Sequence, residues 1–187
     1  QEAIDFMQEV PEKLPFMATS CCPAWSMMAK KLFPEQADCI SMALTPMTLT
    51  ARLIKRHHKN AKVVFIGPCA AKKLEAMRTD IRSDVDFVLT FEEMDGIFDA
   101  KHVEIEKMEE DPDGVNDASM DGRNFAVSGG VAKSVVDVIH QRFPDREIKV
   151  ANAEGLKDCR KLLTMAKAGK YNGYLLEGMA CPGGCVA

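Results

Sequence analysis

Cysteine is the residue type in this sequence most able to do chemistry. Cys21 and Cys22 are adjacent, Cys69 is isolated, and Cys181 and Cys185 form a pair, all in segments that read as turns. Cys39 and Cys159 lie in apolar surroundings, Cys159 on one helical stripe with Leu156, Leu163 and Ala166, and read as small buried hydrophobes. Seven cysteines is an odd count, whereas a secreted disulfide framework is smaller, denser in cysteine and even. Reduced thiols, metal ligands or both are the better reading. Zinc favours two close pairs at C-x-x-C spacing, which the chain lacks, while a 4Fe-4S cubane takes thiolates that can be scattered along a sequence. Soft thiolate suits both metals, so spacing alone leaves iron–sulfur and zinc open. The histidines add no ligand pattern: His57 and His58 close a helix that begins at Pro46, and His102 and His140 are solitary.

The segments that must position these cysteines repeat one unit of apolar strand, sharp turn and helix. Residues 14–18 run into Thr19-Ser20-Cys21-Cys22-Pro23, and a helix starts at Pro23, where proline suits the first turn. Residues 62–66 end in Gly67-Pro68-Cys69 before the helix-forming stretch 70–77. Residues 86–89 lead to Thr90, which forms a capping box with Glu93 for a helix over 91–99. Residues 124–127 read as a strand that meets Ser128-Gly129-Gly130 and a helix with Val131, Val135 and Val138 at helical spacing. Residues 148–151 precede the helix bearing Cys159, and residues 174–176 end at Glu177-Gly178-Met179-Ala180-Cys181. The expected fold class is therefore α/β, with repeated strand–turn–helix units, largely parallel sheets, and a cluster site at the carboxyl ends of the strands between two lobes.

Composition narrows the function. A net charge of −4 and a pI near 5.6 offer no basic patch for a nucleic-acid partner. No apolar run reaches the ~20 residues of a membrane helix, and no signal peptide is present, so no membrane is expected and the expected compartment is the cytoplasm. The 187 residues suit one domain, yet the chain opens at Gln1 and stops just past Cys185, which reads as an incomplete domain cut at both ends. The acidic excursion containing Asp111-Pro112-Asp113-Gly114 lacks the distal glutamate of an EF-hand and reads as a solvated surface.

Three motifs resemble a known family. Thr19-Ser20-Cys21-Cys22-Pro23-Ala24-Trp25, Pro68-Cys69-Ala70-Ala71-Lys72-Lys73-Leu74-Glu75 and Glu177-Gly178-Met179-Ala180-Cys181-Pro182-Gly183-Gly184-Cys185 are similar, in this order, to the signatures of iron-only (FeFe) hydrogenases. The resemblance covers essentially the whole chain. It implies that Cys22, Cys69, Cys181 and Cys185 hold a 4Fe-4S cubane, with Cys185 also bridging to a diiron subsite that bears carbonyl, cyanide and a dithiolate. It implies further that Cys21 relays protons, that Ser41 lies on the proton path, and that Lys72 donates to a cyanide with Glu75 as its support. Pro68, Met179, Phe125, Val131, Thr45, Pro46 and Met47 would line the cofactor. Glu2 is a candidate for the acidic relay. Ferredoxin or a similar electron carrier, protons and dihydrogen are the implied partners.

The sequence departs from the best-known members of that family at Gly67, where they carry methionine, at Met47, where they carry glutamine, and at Ala126, where they carry glycine. The upstream wall of the pocket and the glycines after the third motif are also missing, so the isolated chain is expected to be inactive. A hydrogen sensor, an iron–sulfur assembly relative and a zinc-stabilised domain are the rival expectations; the retained Cys21 and Lys72 argue against the first two.

Overall fold

The structure is a computed structural model and describes residues 1–111, 114 and 117–186, so the expectation for Pro112 and Asp113 lies outside the described residues. The elements run α1 (Glu2–Glu9), β1 (Met17–Ala18), α2 (Pro23–Leu32), a 3-10 turn (Pro34–Cys39), α3 (Pro46–His57), β2 (Val64–Ile66), α4 (Ala71–Ala76), β3 (Phe87–Leu89) and α5 (Phe91–Lys101). A second 3-10 turn (Ile105–Lys107) and α6 (Met120–Asn124), α7 (Gly130–Arg142), β4 (Lys149–Glu154), α8 (Gly155–Lys167) and β5 (Tyr174–Met179) complete the order. The chain divides into two compact units, Gln1–Thr45 with Met120–Ala187, and Pro46–Ser119. All the ladders are parallel, in open sheets, as the alternation of strands and helices predicts.

The first unit carries a sheet in the order β1-β5-β4, with Met17 opposite Leu175 and Glu154 opposite Met179. β5 is the middle strand and is buried along most of its length, as a strand covered on both faces must be. One side packs Phe16, Trp25, Cys159, Leu163 and Leu176, and the other packs Phe6, Val10, Val135, Ile139 and Leu175. Cys159 and Leu163 are buried on α8 as their spacing predicts, whereas Leu156, in the first turn of the helix, is 45% exposed. The strand expected over 124–127 does not form. Instead α6 ends at Asn124 and two successive turns follow, Val127 N–H donating to Asn124 O and Gly130 N–H to Val127 O. Only Val127 makes a bridge, antiparallel to Gly184. The reason is local: these turns return the chain into α7 within a few residues, leaving no room for an extended run.

The second unit is a two-stranded sheet, β2 beside β3, with Val64 opposite Phe87 and Ile66 opposite Leu89. Its buried apolar core is small, Met47, Ala51 and Val85, with Phe65 and Val88 packed on it. Charge does much of the remaining work. Arg52 grips Asp84 through Nε and Nη2, and Asp86 takes Lys55, Lys62 and the backbone N–H of Val63. The Lys55 ammonium, then the Val63 N–H and Lys62, hold the Asp86 carboxyl well below the usual carboxylate range. The Thr90–Glu93 capping box starts α5 as predicted.

Candidate metal centre

β1 and β5 lie side by side and parallel, so their carboxyl ends open on one edge of the sheet. At that edge Cys22 is the N-cap residue of α2, with Pro23 in the first turn, and Cys181 follows directly after β5. Cys22 is buried in an apolar cluster that also holds Val131 and Met179, and Cys21 and Phe125 pack against it. The structure thus gathers five of the residues expected at the site, contributed by three separate stretches of chain. Trp25 anchors the gathering. It is fully buried, its Nε1 donates to Thr19 O at 2.9 Å, and its ring fills the space over Gly178, where an added Cβ would lie 2.3 Å from the indole.

Cys181 and Cys185 are exposed, on a loop that the backbone holds at several points. Gly184 N–H donates to Cys181 O, Ser128 N–H to Gly183 O, and Cys185 N–H to Ala126 O at 2.8 Å. Gly183 N–H donates to the Glu154 carboxylate at 2.5 Å. Gly184 has φ +94°, and a Cβ there would stand 2.3 Å from Ala126 O, so the close approach of the two loops requires glycine. Glu177, 1% exposed, takes the N–H groups of Gly129 and Ala132, both at 2.7 Å, and so ties β5 to the start of α7. Burial raises the Glu177 carboxyl above its usual value, against those hydrogen bonds.

The Glu2 carboxyl lies near the Ser41 side chain and the Ser20 backbone; burial raises its pKa, and those two neighbours act in the opposite direction. Ser41 is itself held by its N–H on Ala18 O and by its Oγ accepting from Ala43 N–H. A cavity of about 400 Å3 reaches Ser41 and is rimmed by Asp5, Glu9 and Asp38. Thr45 is buried at the end of this stretch. Cys39 and Cys159 are buried thiols; desolvation pushes Cys159 up to about 11, with Cys22 adding to the shift, and its S–H donates to Met179 O. An inert role fits both.

In the second unit, Cys69 follows β2 through Gly67-Pro68, and its carbonyl accepts from Lys72 N–H to begin α4. Lys72 is 8% and Glu75 3% exposed, their ion pair closing at 2.7 Å. Met47 is buried in the core, while Pro46 and Pro68 are exposed. Gly67 stands under the Phe65 ring, which comes within 2.8 Å of where a Cβ would be. Among the described residues, no three His, Cys, Asp or Glu side chains stand together as a ready metal-binding group. The donor chemistry nevertheless fits an iron–sulfur cluster: thiols at the carboxyl ends of parallel strands, with no histidine among the candidates.

Parallel strands that run into cysteine-bearing turns, in open sheets flanked by helices, define the class as an α/β domain with thiols at its strand ends. Within that class the chain belongs to the family described as iron only hydrogenase large subunit, C-terminal domain, whose sequence model matches residues 1–187. The periplasmic Fe hydrogenase large subunit of Nitratidesulfovibrio vulgaris is 28% identical over 233 residues, an alignment covering 100% of this chain and 54% of that protein. The cytosolic iron-sulfur assembly component 3 of Rattus norvegicus is 27% identical over 221 residues, covering 94% of this chain and 46% of that protein. The chain therefore spans about half the length of these relatives. A solved variant of the apo FeFe-hydrogenase HydA1 from Chlamydomonas reinhardtii matches with a TM-score of 0.71 at 22% identity, covering 100% of this chain and 65% of that one, and shows the fold. Among the described residues no helix is long and apolar enough to cross a membrane.

Proposed function

We propose that this chain forms part of a centre that interconverts two protons and two electrons with dihydrogen. Cys22, Cys69, Cys181 and Cys185 are the proposed ligands of a 4Fe-4S cluster, and Cys185 also carries a diiron subsite with carbonyl, cyanide and a dithiolate. When bound, these groups supply the redox chemistry, and the protein supplies orientation, exclusion of water and proton traffic. Met179, Phe125, Val131, Thr45, Pro46, Met47 and Pro68 would line the group, and Lys72, seated on Glu75, would donate to one of its cyanides. Electrons come from ferredoxin or a similar carrier, in the cytoplasm.

The observation that supports this reading is the clustering of Cys21 and Cys22 with Phe125, Val131 and Met179 at the carboxyl end of the β1–β5 pair, with the Glu2 carboxyl near Ser41 and the Ser20 backbone. A proton entering at Ser41 passes through the hydroxyl to Glu2, and from there to the Cys21 thiol, next to the ligand Cys22. The test begins with anaerobic reconstitution with iron and sulfide and measurement of bound iron. Cys22→Ser, Cys69→Ser, Cys181→Ser and Cys185→Ser each lower it and Cys39→Ser does not; full iron in Cys69→Ser overturns the ligand set. In the matured full-length enzyme, Cys21→Ala keeps the iron spectrum and lowers hydrogen evolution about 10²-fold, the usual contribution of a positioned proton donor.

A second reading, a non-catalytic iron–sulfur assembly relative or hydrogen sensor, draws on the relatives named for iron–sulfur assembly. The assembly form predicts a cluster with no infrared bands of iron-bound carbonyl or cyanide after maturation. A sensor predicts the bands with no turnover.

A further inference from the structure

Thr48 stands three residues past Thr45, in the first turn of α3, and no motif in the sequence marks it. It is 1% exposed, and its hydroxyl donates to Glu75 Oε1 at 3.2 Å while Lys72 holds Oε2 at 2.7 Å. The two carboxylate oxygens are thus divided between a hydroxyl from α3 and an ammonium from α4. A buried ion pair is poor evidence of stabilisation, since apolar residues of similar volume usually do as well. It is an odd choice in a unit whose apolar core is as small as Met47, Ala51 and Val85. A task in orientation accounts for it. The terminal torsion of a glutamate is broad, so one contact would leave the carboxylate able to swing and the long lysine with it. A second contact from a different helix fixes the plane.

We infer that Thr48 is a positioning residue: its hydroxyl holds Glu75, and Glu75 in turn aims Lys72. The inference rests on the proposed role of Lys72 only for what the ammonium points at, not for how it is held. The experiment therefore has two readouts. In the metal-free full chain, Lys72 is labelled with an amine-acylating reagent and the rate is followed by mass spectrometry, with Lys55 and Lys73 as internal controls. Thr48→Val, which keeps the shape and removes the hydroxyl, raises Lys72 labelling roughly fivefold or more, the equilibrium equivalent of one net hydrogen bond. Thr48→Ser restores protection, and the controls do not move. If Thr48→Val fails to fold by circular dichroism, Thr48→Ala takes its place in the same comparison. Unchanged labelling, or equal rises at all three lysines, overturns the inference. In the matured protein, Thr48→Val shifts the infrared cyanide bands and Thr48→Ser leaves them in place. Should the parent show no such bands while the labelling result holds, the cofactor reading fails and the positioning of Lys72 stands.

Discussion

In the unit formed by Gln1–Thr45 and Met120–Ala187, the cysteine turns rest on apolar mass and backbone pins: the Trp25 ring under Gly178, the sulfur of Cys22 among Val131 and Met179, and four backbone N–H contacts on the loop from Cys181 to Cys185. In the unit Pro46–Ser119, four hydrophobic side chains are buried among the described residues, Met47, Ala51, Ile81 and Val85, and Arg52–Asp84, the Asp86 cluster and Thr48–Glu75–Lys72 add charged and polar ties to the packing. On the proposed function, the difference follows from what each unit would present. Soft, oily walls suit thiols and an apolar cofactor lining, whereas a lysine that must be aimed needs fixed charges around it. The first arrangement resists acid and salt; the second is exposed to both.

The contrast is broken most easily by removing its largest side chain. Trp25→Ala is expected to cost about 3–5 kcal/mol, because the ring is fully buried and the space over Gly178 cannot readily collapse on a strand held between two others. Met47→Ala, in the small core, is expected nearer the low end of the range for such truncations, about 2 kcal/mol. Urea unfolding followed by circular dichroism measures both, and equal losses would erase the distinction. Glu177→Ala comes next, at about 1–3 kcal/mol, since two buried N–H groups lose their acceptor. Faster hydrogen exchange at Gly129 and Ala132 is its local signature. Thr90→Ala removes one arm of the capping box on α5 and is expected to cost about 1 kcal/mol, confined to that helix.

Much of this organisation is legible in the residues, and what is not has physical reasons. Pro23 in the first turn of α2 and Thr90 three residues before Glu93 are local signals, and both helices start where those residues place them. α1 carries Ala3, Phe6 and Val10 on one inward face, but its start is unmarked, Gln1 making no side-chain cap, so nothing punctuates it. Residues 124–127 look like a strand by composition, and the outcome is decided by two successive local turns that return the chain to α7. The motifs made the lysine and its glutamate visible as Lys72 and Glu75. Thr48, 27 residues away from Glu75, and Glu2, far from Ser41, are joined by folding alone, and no spacing rule reaches across such gaps.

The smallest effect expected is a difference in sign with pH. Burial raises Glu2 and Glu177 above their ordinary value of 4.5, so the folded first unit binds more protons there than the unfolded chain does. Their contribution is fullest below 4.5 and is lost as pH rises toward the folded values. Asp86 runs the other way. Lys55, the Val63 N–H and Lys62 lower it from 3.8, so its contribution is complete above that value and is lost as pH falls through the region beneath it. Acidification therefore favours the first unit through its carboxyls and weakens the second through Asp86. Trp25, the single tryptophan, reports the first unit by fluorescence, and hydrogen exchange in peptides spanning β2 and β3 reports the second. Glu2→Gln is expected to flatten the first profile above 4.5 and Asp86→Asn the second below 3.8, each leaving the other unit's profile in place. Added salt should weaken the Asp86 contribution and leave the Trp25 signal nearly unchanged, because exposed lysines are screened and buried carboxyls are not. If both units instead lose protection together as pH falls, the separate means of support described for them are not energetically separate.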